Sequence, residues 1–472
     1  MASIIIRNGA TIHRHGTALL LFTVCLGVFI AQLDSQVVNL AIKHIGSDLG
    51  AGISQLQWVM DAYNLFYATL LLTGGTLGDL YGRMRIFVTG VGLIVAGSIV
   101  CAAAPDATTL IAGRALTGVG AALEVPTSLA ILTVAYGDAK ERAHAIGIWA
   151  GCNGLALAVG PTIGGLLVDA LGWRSIFVLV IPVCALAMLL AVKHVPDTRD
   201  PKERALDLSG QALAVLALGT LAFVTIEGPH WGFTSPIITA LTALCIVSGG
   251  LFVLSQRGKR DALVPLAFFG RRQFNAALAA AGTMTFGIYA LLFLTPLYLQ
   301  SQGQASAFIV GVELLPMSLT FVTVSHYSGA LARRFGPRVL MTAGMAAMGA
   351  GLLALTLVST VPNLPLIVTA LLVIGAGLGL NTGPVNAVAV ASLPPARSGT
   401  ASGLVNTARM VGATLGIAVL GAVFAVHAAD NAPEAMVSGL RLAYLGGAAV
   451  ELAGALVSFA FIDRDAMEQR SD

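Results

Sequence analysis

Gly75-Thr76-Leu77-Gly78-Asp79-Leu80-Tyr81-Gly82-Arg83-Met84-Arg85 separates two long apolar runs, and Gly329-Ala330-Leu331-Ala332-Arg333-Arg334-Phe335-Gly336-Pro337-Arg338 does the same much later in the chain. Each stretch places a glycine four residues before a charge, Gly75 before Asp79 and Gly329 before Arg333, and another three after it, Gly82 and Gly336. A short basic turn between apolar runs is a loop left at one membrane face. Its recurrence marks a chain built from two related halves, the plan of many transporters, whose substrate sites lie at the repeat interface near mid-membrane.

Working outward from the two loops, about 20 apolar residues suffice for a helix to cross a bilayer. On that ruler the candidate spans are 17–42, 56–77, 86–104, 110–134, 145–171 and 176–192, then 208–226 and 236–254, then 274–299, 308–332, 339–358, 364–391, 401–425 and 439–462. The predicted organisation is an all-α membrane protein with a six-span half over 1–193, two extra spans over 194–273 and a second six-span half over 274–472. Composition agrees: 57% of residues are hydrophobic and 10% charged, and mean hydropathy is +0.86, whereas a soluble domain is about 25% charged. The 54 glycines suit helix packing in lipid, where small residues let backbones approach.

Of the 26 Lys and Arg, only Lys43, Arg174 and Arg441 fall opposite the N-terminus, and Arg114 and Arg409 fall within spans. All others, from Arg7 and Arg14 through Lys202, Arg204 and Arg260 to Arg470, share its side. Loops rich in Lys and Arg stay inside, so both termini are expected in the cytoplasm. The first run carries Asp34 and exceeds a signal-peptide core, so it reads as an uncleaved span. A net charge of +3 gives no ground for a nucleic-acid partner. The cysteines, Cys25, Cys101, Cys152, Cys184 and Cys245, lie in apolar stretches without metal-site or disulfide spacing. Neither a metal nor another cofactor is expected, and no phosphate-cradling loop suggests coupling to ATP.

The residues resemble the major facilitator superfamily, and within it the fourteen-span drug:proton antiporters of the EmrB and QacA type, over nearly the whole chain. The resemblance rests on Leu33-Asp34, on the loop from Gly75 to Arg85, on Arg114-Ala-Leu-Thr-Gly118-Val-Gly120, on Trp58-Val-Met-Asp61-Ala-Tyr63-Asn64 and on Gly160-Pro161-Thr-Ile-Gly164-Gly165. It implies that Gly75, Asp79, Gly82 and Arg83 form a cytoplasmic gating turn, that Arg114 takes part in proton transfer, and that Gly160, Pro161, Gly164 and Gly165 mark an exporter. The later loop carries Arg333 where the first has Asp79, so a gating role for the charge is assigned to the first. Independently, Gly147, Gly151, Gly154, Ala158, Pro161 and Gly165 recur in steps of four and three, giving one helix face almost without side chains.

Ionisable groups in hydrocarbon cost roughly 2.5–3.5 kcal/mol each on insertion scales, so each needs a reason. The acids at membrane depth are Asp34, Asp61, Glu124, Glu313 and Glu451. Asp34 is the first candidate for carrying a proton, and a snorkelling end residue is its structural alternative. Asp61, near an interface, is a second candidate or a hydrated side chain. Arg114 and Glu124 share a span, but ten residues at 100° set them about 80° apart, so Arg114 needs a partner elsewhere, and Asp34 shares its depth. Glu124 faces either the cavity or an interhelical hydrogen bond. Glu313 is read as a mid-bilayer acid on a stripe with Pro316, Thr320 and Thr323, and the resemblance implies cation recognition there. Arg409 is read as neutralising Glu313 or Glu451. Met60, Phe66, Trp149, Asn153, Phe286, Tyr289 and Asn406 complete the expected lining of a tolerant binding site.

The expected activity is proton-coupled export of small amphipathic drugs, cationic or lipophilic, by a monomer in contact with lipid. Two rivals remain: an exporter dedicated to one neutral or anionic metabolite, and a membrane enzyme, which would want a cluster of reactive groups in a sizeable loop.

Overall fold

The computed structural model describes residues 14–199, 206–259, 262–303, 305–394, 397–428, 432–464 and 466. Arg7, Lys202, Arg204, Arg260 and Arg470 lie outside the described residues. The chain forms α1 (Arg14–Leu49), α2 (Ile53–Tyr81), α3 (Arg83–Ala102), α4 (Ala107–Ala135), α5 (Ala139–Leu171), α6 (Ser175–His194), α7 (Leu208–Trp231) and α8 (Pro236–Ser255). It continues as α9 (Arg272–Gln302), α10 (Ala307–Phe335), α11 (Pro337–Leu355), α12 (Leu364–Ala391), α13 (Ser398–His427) and α14 (Pro433–Phe461). Several helices overrun the predicted spans, because polar ends continue helically past the hydrocarbon. Their starts are written in side chains: Asp106, Asp138, Asp207, Ser235, Ser306 and Asn363 each accept a hydrogen bond from an amide of the first turn.

Thirteen of these helices are long and apolar enough to cross a bilayer. The exception is α2, 29 residues long, which carries Gln57, Asp61 and Asn64 fully buried. Its polar groups meet protein rather than lipid, as backbone and side chains at membrane depth require.

The doubling read from the two loops is visible in the packing. In the first six helices α1 packs on α5 and α6, α2 and α3 pack on α4, and α3 packs on α6. The same five pairings recur eight helices later, α9 with α13 and α14, α10 and α11 with α12, and α11 with α14. Glycine permits the closest of them: a Cβ on Gly74 of α2 would strike the Ala122 carbonyl of α4, and one on Gly375 of α12 the Met317 carbonyl of α10. Between the two sets, α5 meets α10 and α2 meets α13, a pair of contacts exchanged by the same two-fold relation, while α1 meets α9.

The additional helices lie on one flank. α7 packs on α2 and α13, and α8 on α7. Glu227 of α7 accepts from Ser54 Oγ at 2.6 Å and Trp58 Nε1 at 3.0 Å, both on α2. About two to three turns from the other end of α2, Gln211 of α7 donates to the Thr69 carbonyl at 2.9 Å and accepts from Thr73. At the start of α7, Asp207 is bonded by Lys259, by Gln256 at 2.6 Å and by the amides of Gly210 and Leu263. Burial alone would raise its carboxyl, but those donors outweigh burial and hold it well below the usual carboxylate range.

Both basic loops sit at the end of the molecule where α1 begins, and the opposite end is sealed between the two six-helix sets. There Asp169 of α5 accepts from the amides of Ala307 and Phe308 at 3.0 and 2.9 Å, capping α10 across the seam. Lys43 of α1 bonds the Gln300 carbonyl of α9, and Gln300 donates to the Leu40 carbonyl at 3.0 Å. Gln57 of α2 donates to the carbonyls of Ile417 and Ala418 of α13 at 3.0 and 3.3 Å. The small-residue stripe of α5 shows how the seam opens toward the basic end. At Gly311 of α10 an added Cβ would stand 2.5 Å from the Pro161 oxygen; at Gly154 the nearest atom of α10 is 4.0 Å away; at Gly151 and Gly147 nothing lies within 4 Å. The helices therefore diverge, and the stripe packs most closely against α10 at its Pro161 and Gly165 end. Capping bonds are worth about 0.5–2 kcal/mol. Asp169→Ala is accordingly expected to shift the balance of the two end states about two- to thirty-fold toward opening of the sealed face, measurable by spin-label distances between the ends of α5 and α10. Unchanged distances would remove the clasp from the seal.

Candidate functional site

The strongest electrostatic feature in the bundle is the pair formed by Asp34 of α1 and Arg114 of α4. Arg114 Nη1 lies 2.6 Å from Asp34 Oδ2, and both side chains are 1% exposed. Arg114 Nε donates to the Val59 carbonyl of α2 at 3.2 Å, and its guanidinium lies over the Tyr63 ring at 4.6 Å. Tyr63 in turn donates to the Ala31 carbonyl of α1 at 3.1 Å. One arginine thus ties α1, α2 and α4 together. Asp34 Oδ1 is buried without a hydrogen-bond partner, so the pair is incomplete on the acid's side.

Beside this pair a chain of tyrosines runs across the seam. The ring of Tyr67 is 5.9 Å from that of Tyr63. Tyr67 is within electrostatic reach of Tyr289 of α9 and of Glu124. The Tyr289 side chain lies near Ser35 and Gln32 of α1, and Arg409 of α13 is within electrostatic reach of it. The first-span and second-span motifs and the predicted Tyr289 are therefore brought together. Tyr67, Gln32 and Ser35 went unassigned in the sequence; the i, i+4 spacing of Tyr63 and Tyr67 was the available signal.

The remaining acids are dispersed. Asp61 and Glu124 are wholly buried, and neither carboxyl has a hydrogen-bond partner. Glu124 sits inside the first six helices, against Gly27 of α1 and Gly90 of α3. Glu313 is half-buried, makes no ion pair among the described residues, and lies about 9 Å along α10 from its start at Ala307. It is nearer the sealed face than the mid-bilayer depth expected of it. The expected neutralisation by Arg409 is not made. Arg409 donates to the Thr382 carbonyl of α12 at 3.2 Å instead, because α13 turns it toward α12 rather than toward α10 or α14.

Among the expected lining residues, Met60 is buried, while Phe66, Trp149, Asn153, Phe286, Tyr289 and Asn406 are half-buried. Trp149 Nε1 donates to Ser128 Oγ of α4 at 3.0 Å, and Phe286 is pressed against Gly416 of α13. Gly160 and Gly164 pack on Gln36 and Val37 of α1, whereas Pro161 and Gly165 pack on α10. The motif wedges α5 between both sets.

In the first basic loop Arg83 bonds Asp79 at 2.7 and 3.0 Å, and Arg85 bonds Asp197, beyond α6, at 2.9 Å. Gly82 has φ +115°, and a Cβ there would strike Asp197. Gly75 faces Pro126 of α4, 3.7 Å from an added Cβ. In the second loop Gly336 has φ +82° and a Cβ would stand 2.8 Å from the Arg464 carbonyl. Each turn is thus covered by the segment that follows the sixth helix of its own set.

Residues 24–417 match the family model described as Major Facilitator Superfamily. The chain belongs to that superfamily. This superfamily member is 38% identical to the multidrug resistance protein Stp of Mycobacterium tuberculosis, over 85% of this chain and 74% of that one. It is 34% identical to the methylenomycin A resistance protein of Bacillus subtilis, over 93% of each. Its fold is similar, with a TM-score of 0.68 and 16% identity over 95% of this chain and 97% of the other, to a bacterial homolog of the human lysosomal transporter Spinster, solved in an inward-facing and occupied conformation. α1 and α9, which carry Asp34 and Tyr289, meet between the two six-helix sets, and Arg114 of α4 is joined to them through Asp34. Asp169 was missed in the sequence, where it stands at a helix end as any solvated acid would.

Proposed function

We propose that this chain exports small amphipathic compounds, cationic or lipophilic, across the cytoplasmic membrane in exchange for protons, and that it falls in the fourteen-span drug:proton antiporter subfamily. The buried pair of Asp34 and Arg114 carries the reading: it is a charge pair whose acid keeps one oxygen free, set beside the tyrosines that cross the seam. The bias of Lys and Arg supports cytoplasmic termini, and with them the open end faces the cytoplasm. Cargo enters there. A proton on Asp34 removes the charge that holds Arg114, loosening α1 from α4 and letting the bundles rock. Small-molecule cargo, protons and surrounding lipid are then the partners, and a monomer contains every element of the cycle.

The names of the relatives, one for multidrug and one for methylenomycin A resistance, support both a tolerant and a dedicated exporter. A drug panel in a host lacking its own pumps, with and without a proton uncoupler, separates them. Protection against several unrelated lipophilic cations, abolished by the uncoupler and selectively weakened by Glu313→Gln, is expected. Protection against one neutral or anionic compound, untouched by Glu313→Gln, would establish the dedicated reading.

A further inference from the structure

One turn of α2, next to the sealed end, serves three neighbours at once, because successive residues of a helix point about 100° apart. Gln57 faces α13, donating to the Ile417 and Ala418 carbonyls at 3.0 and 3.3 Å. Trp58 faces α7, where its Nε1 donates to Glu227 at 3.0 Å. Val59 faces α4, and its carbonyl accepts from Arg114 Nε at 3.2 Å. One helical turn beyond Val59, the Tyr63 ring lies under the same guanidinium. One turn before Trp58, Ser54 donates to the same Glu227 carboxylate at 2.6 Å. The turn that supports the base of the Asp34–Arg114 pair is thus held from behind by both α13 and α7.

These two holds differ in kind. α13 belongs to the second six-helix set, so its bonds from Gln57 break when the sealed end opens. α7 is fastened along α2: Glu227 and Gln211 bond it toward either end, Phe223 packs on Trp58 with ring centroids 6.1 Å apart, and Gly219 lies against Leu65 between them. α7 also touches α13, but among the described residues no hydrogen bond or ion pair joins those two helices. α13 can therefore leave α7 at no polar cost, whereas α7 leaving α2 would strand Glu227.

We propose that Glu227 is a positioning residue for the Asp34–Arg114 pair: it braces α2 from behind, so that the Val59 carbonyl and the Tyr63 ring stay on Arg114 after α13 has let go. The inference rests on the proton-coupled reading above and gives the additional helices a part in it. In exchange for outgoing cargo, Asp34 takes its proton while the sealed end is open, the state in which α13 no longer supports α2. Protonation also removes the charge that attracts Arg114, so the arginine must then be held by α2 while α1 is freed. Glu227 supplies that hold as an acceptor for Ser54 and Trp58, and no covalent bond changes.

The test uses the full protein with spin labels at the exposed Gln55 and Thr108, near the starts of α2 and α4. A Gln57→Leu background removes the bonds from α2 to α13. In that background a single distance is expected; adding Glu227→Leu is expected to bring in a second, longer population, and adding Glu227→Gln, which keeps the acceptor oxygen, to leave the distance single. In proteoliposomes with ethidium as the probe, Glu227→Leu alone is expected to lower accumulation driven by a pH gradient about ten- to hundred-fold, the worth of hydrogen bonds to a charged acceptor. Exchange of ethidium between two equal pools, which needs no net proton movement, should continue at the wild-type rate. Trp58→Phe, which leaves α7 untouched and keeps a ring beside Phe223, should act in the same direction as Glu227→Leu. Gln211→Leu weakens the same helix joint about 15 Å along α2 from Val59 and should spare both readouts. Unchanged distances in Glu227→Leu, no rescue by Glu227→Gln, accumulation and exchange that fall together, or an equal loss in Gln211→Leu would each overturn the assignment. Wild-type protein that moves ethidium without protons would overturn the coupled reading instead. The distance arm uses neither cargo nor a proton gradient, so the two failures are told apart.

Discussion

Asp34→Asn is expected to abolish uphill export while leaving the protein folded in the membrane. Asparagine keeps the shape and one acceptor toward Arg114, whose guanidinium retains the Val59 carbonyl and the Tyr63 ring. What is lost is the only group in the pair that can take and return a proton. Removing one partner of a buried ion pair costs about 3–5 kcal/mol, which is about two to four powers of ten in the balance of states the pair controls. In vesicles with an imposed pH gradient the variant should move cargo only down its own gradient, if at all. Gradient-driven accumulation at the wild-type rate would remove Asp34 from the coupling mechanism. Arg114→Met is a harsher change, because it strands Asp34 without its base and releases α2 as well.

Gly165→Leu is expected to be equally severe for a different reason. A Cβ at Gly165 would stand 2.6 Å from the Ala307 carbonyl carbon and 2.7 Å from Phe308 Cα. Both belong to backbone, which cannot swing aside as a side-chain tip can. The sealed end cannot then close, the amides of α10 leave Asp169, and the molecule is held open on that face. Transport should fall to background. Labelling of Cys152, a half-exposed residue on the divergent part of α5, should slow as the basic end closes in compensation. Gly151→Ala, on the same stripe but with nothing within 4 Å, serves as the control and should leave both readouts near wild type. A Gly165→Leu protein with wild-type transport would show that α5 and α10 need not touch.

Much of the Asp34–Arg114 ion pair was legible before any packing was known. Arg114 and Glu124 could not pair on one helix, so the arginine needed an acid on another span at its own depth, and Asp34 met both conditions. Arg409 illustrates the opposite case. Depth alone offered Glu313 and Glu451 as partners, but the rotation of α13 directs its guanidinium to a carbonyl of α12. Asp169 was equally silent, since a carboxylate past the end of an apolar run reads as solvated until α10 is seen to begin beneath it. Glu451 was visible as an acid at membrane depth, but its burial against Gly287 and Leu352, on helices far back in the chain, was not.

The sequence by itself determined the helices, the doubled plan and the side on which the loop charges gather, because these follow from apolar length, periodicity and the cost of placing charge in hydrocarbon. The two basic turns with which the reading began mark that plan, and Gly82 and Gly336 do adopt the positive φ that matching turns require. Only the tertiary structure decided which end is sealed and which acids stand unpaired. Those properties depend on the rotation and tilt of each helix against neighbours distant in the chain, which local pattern does not encode.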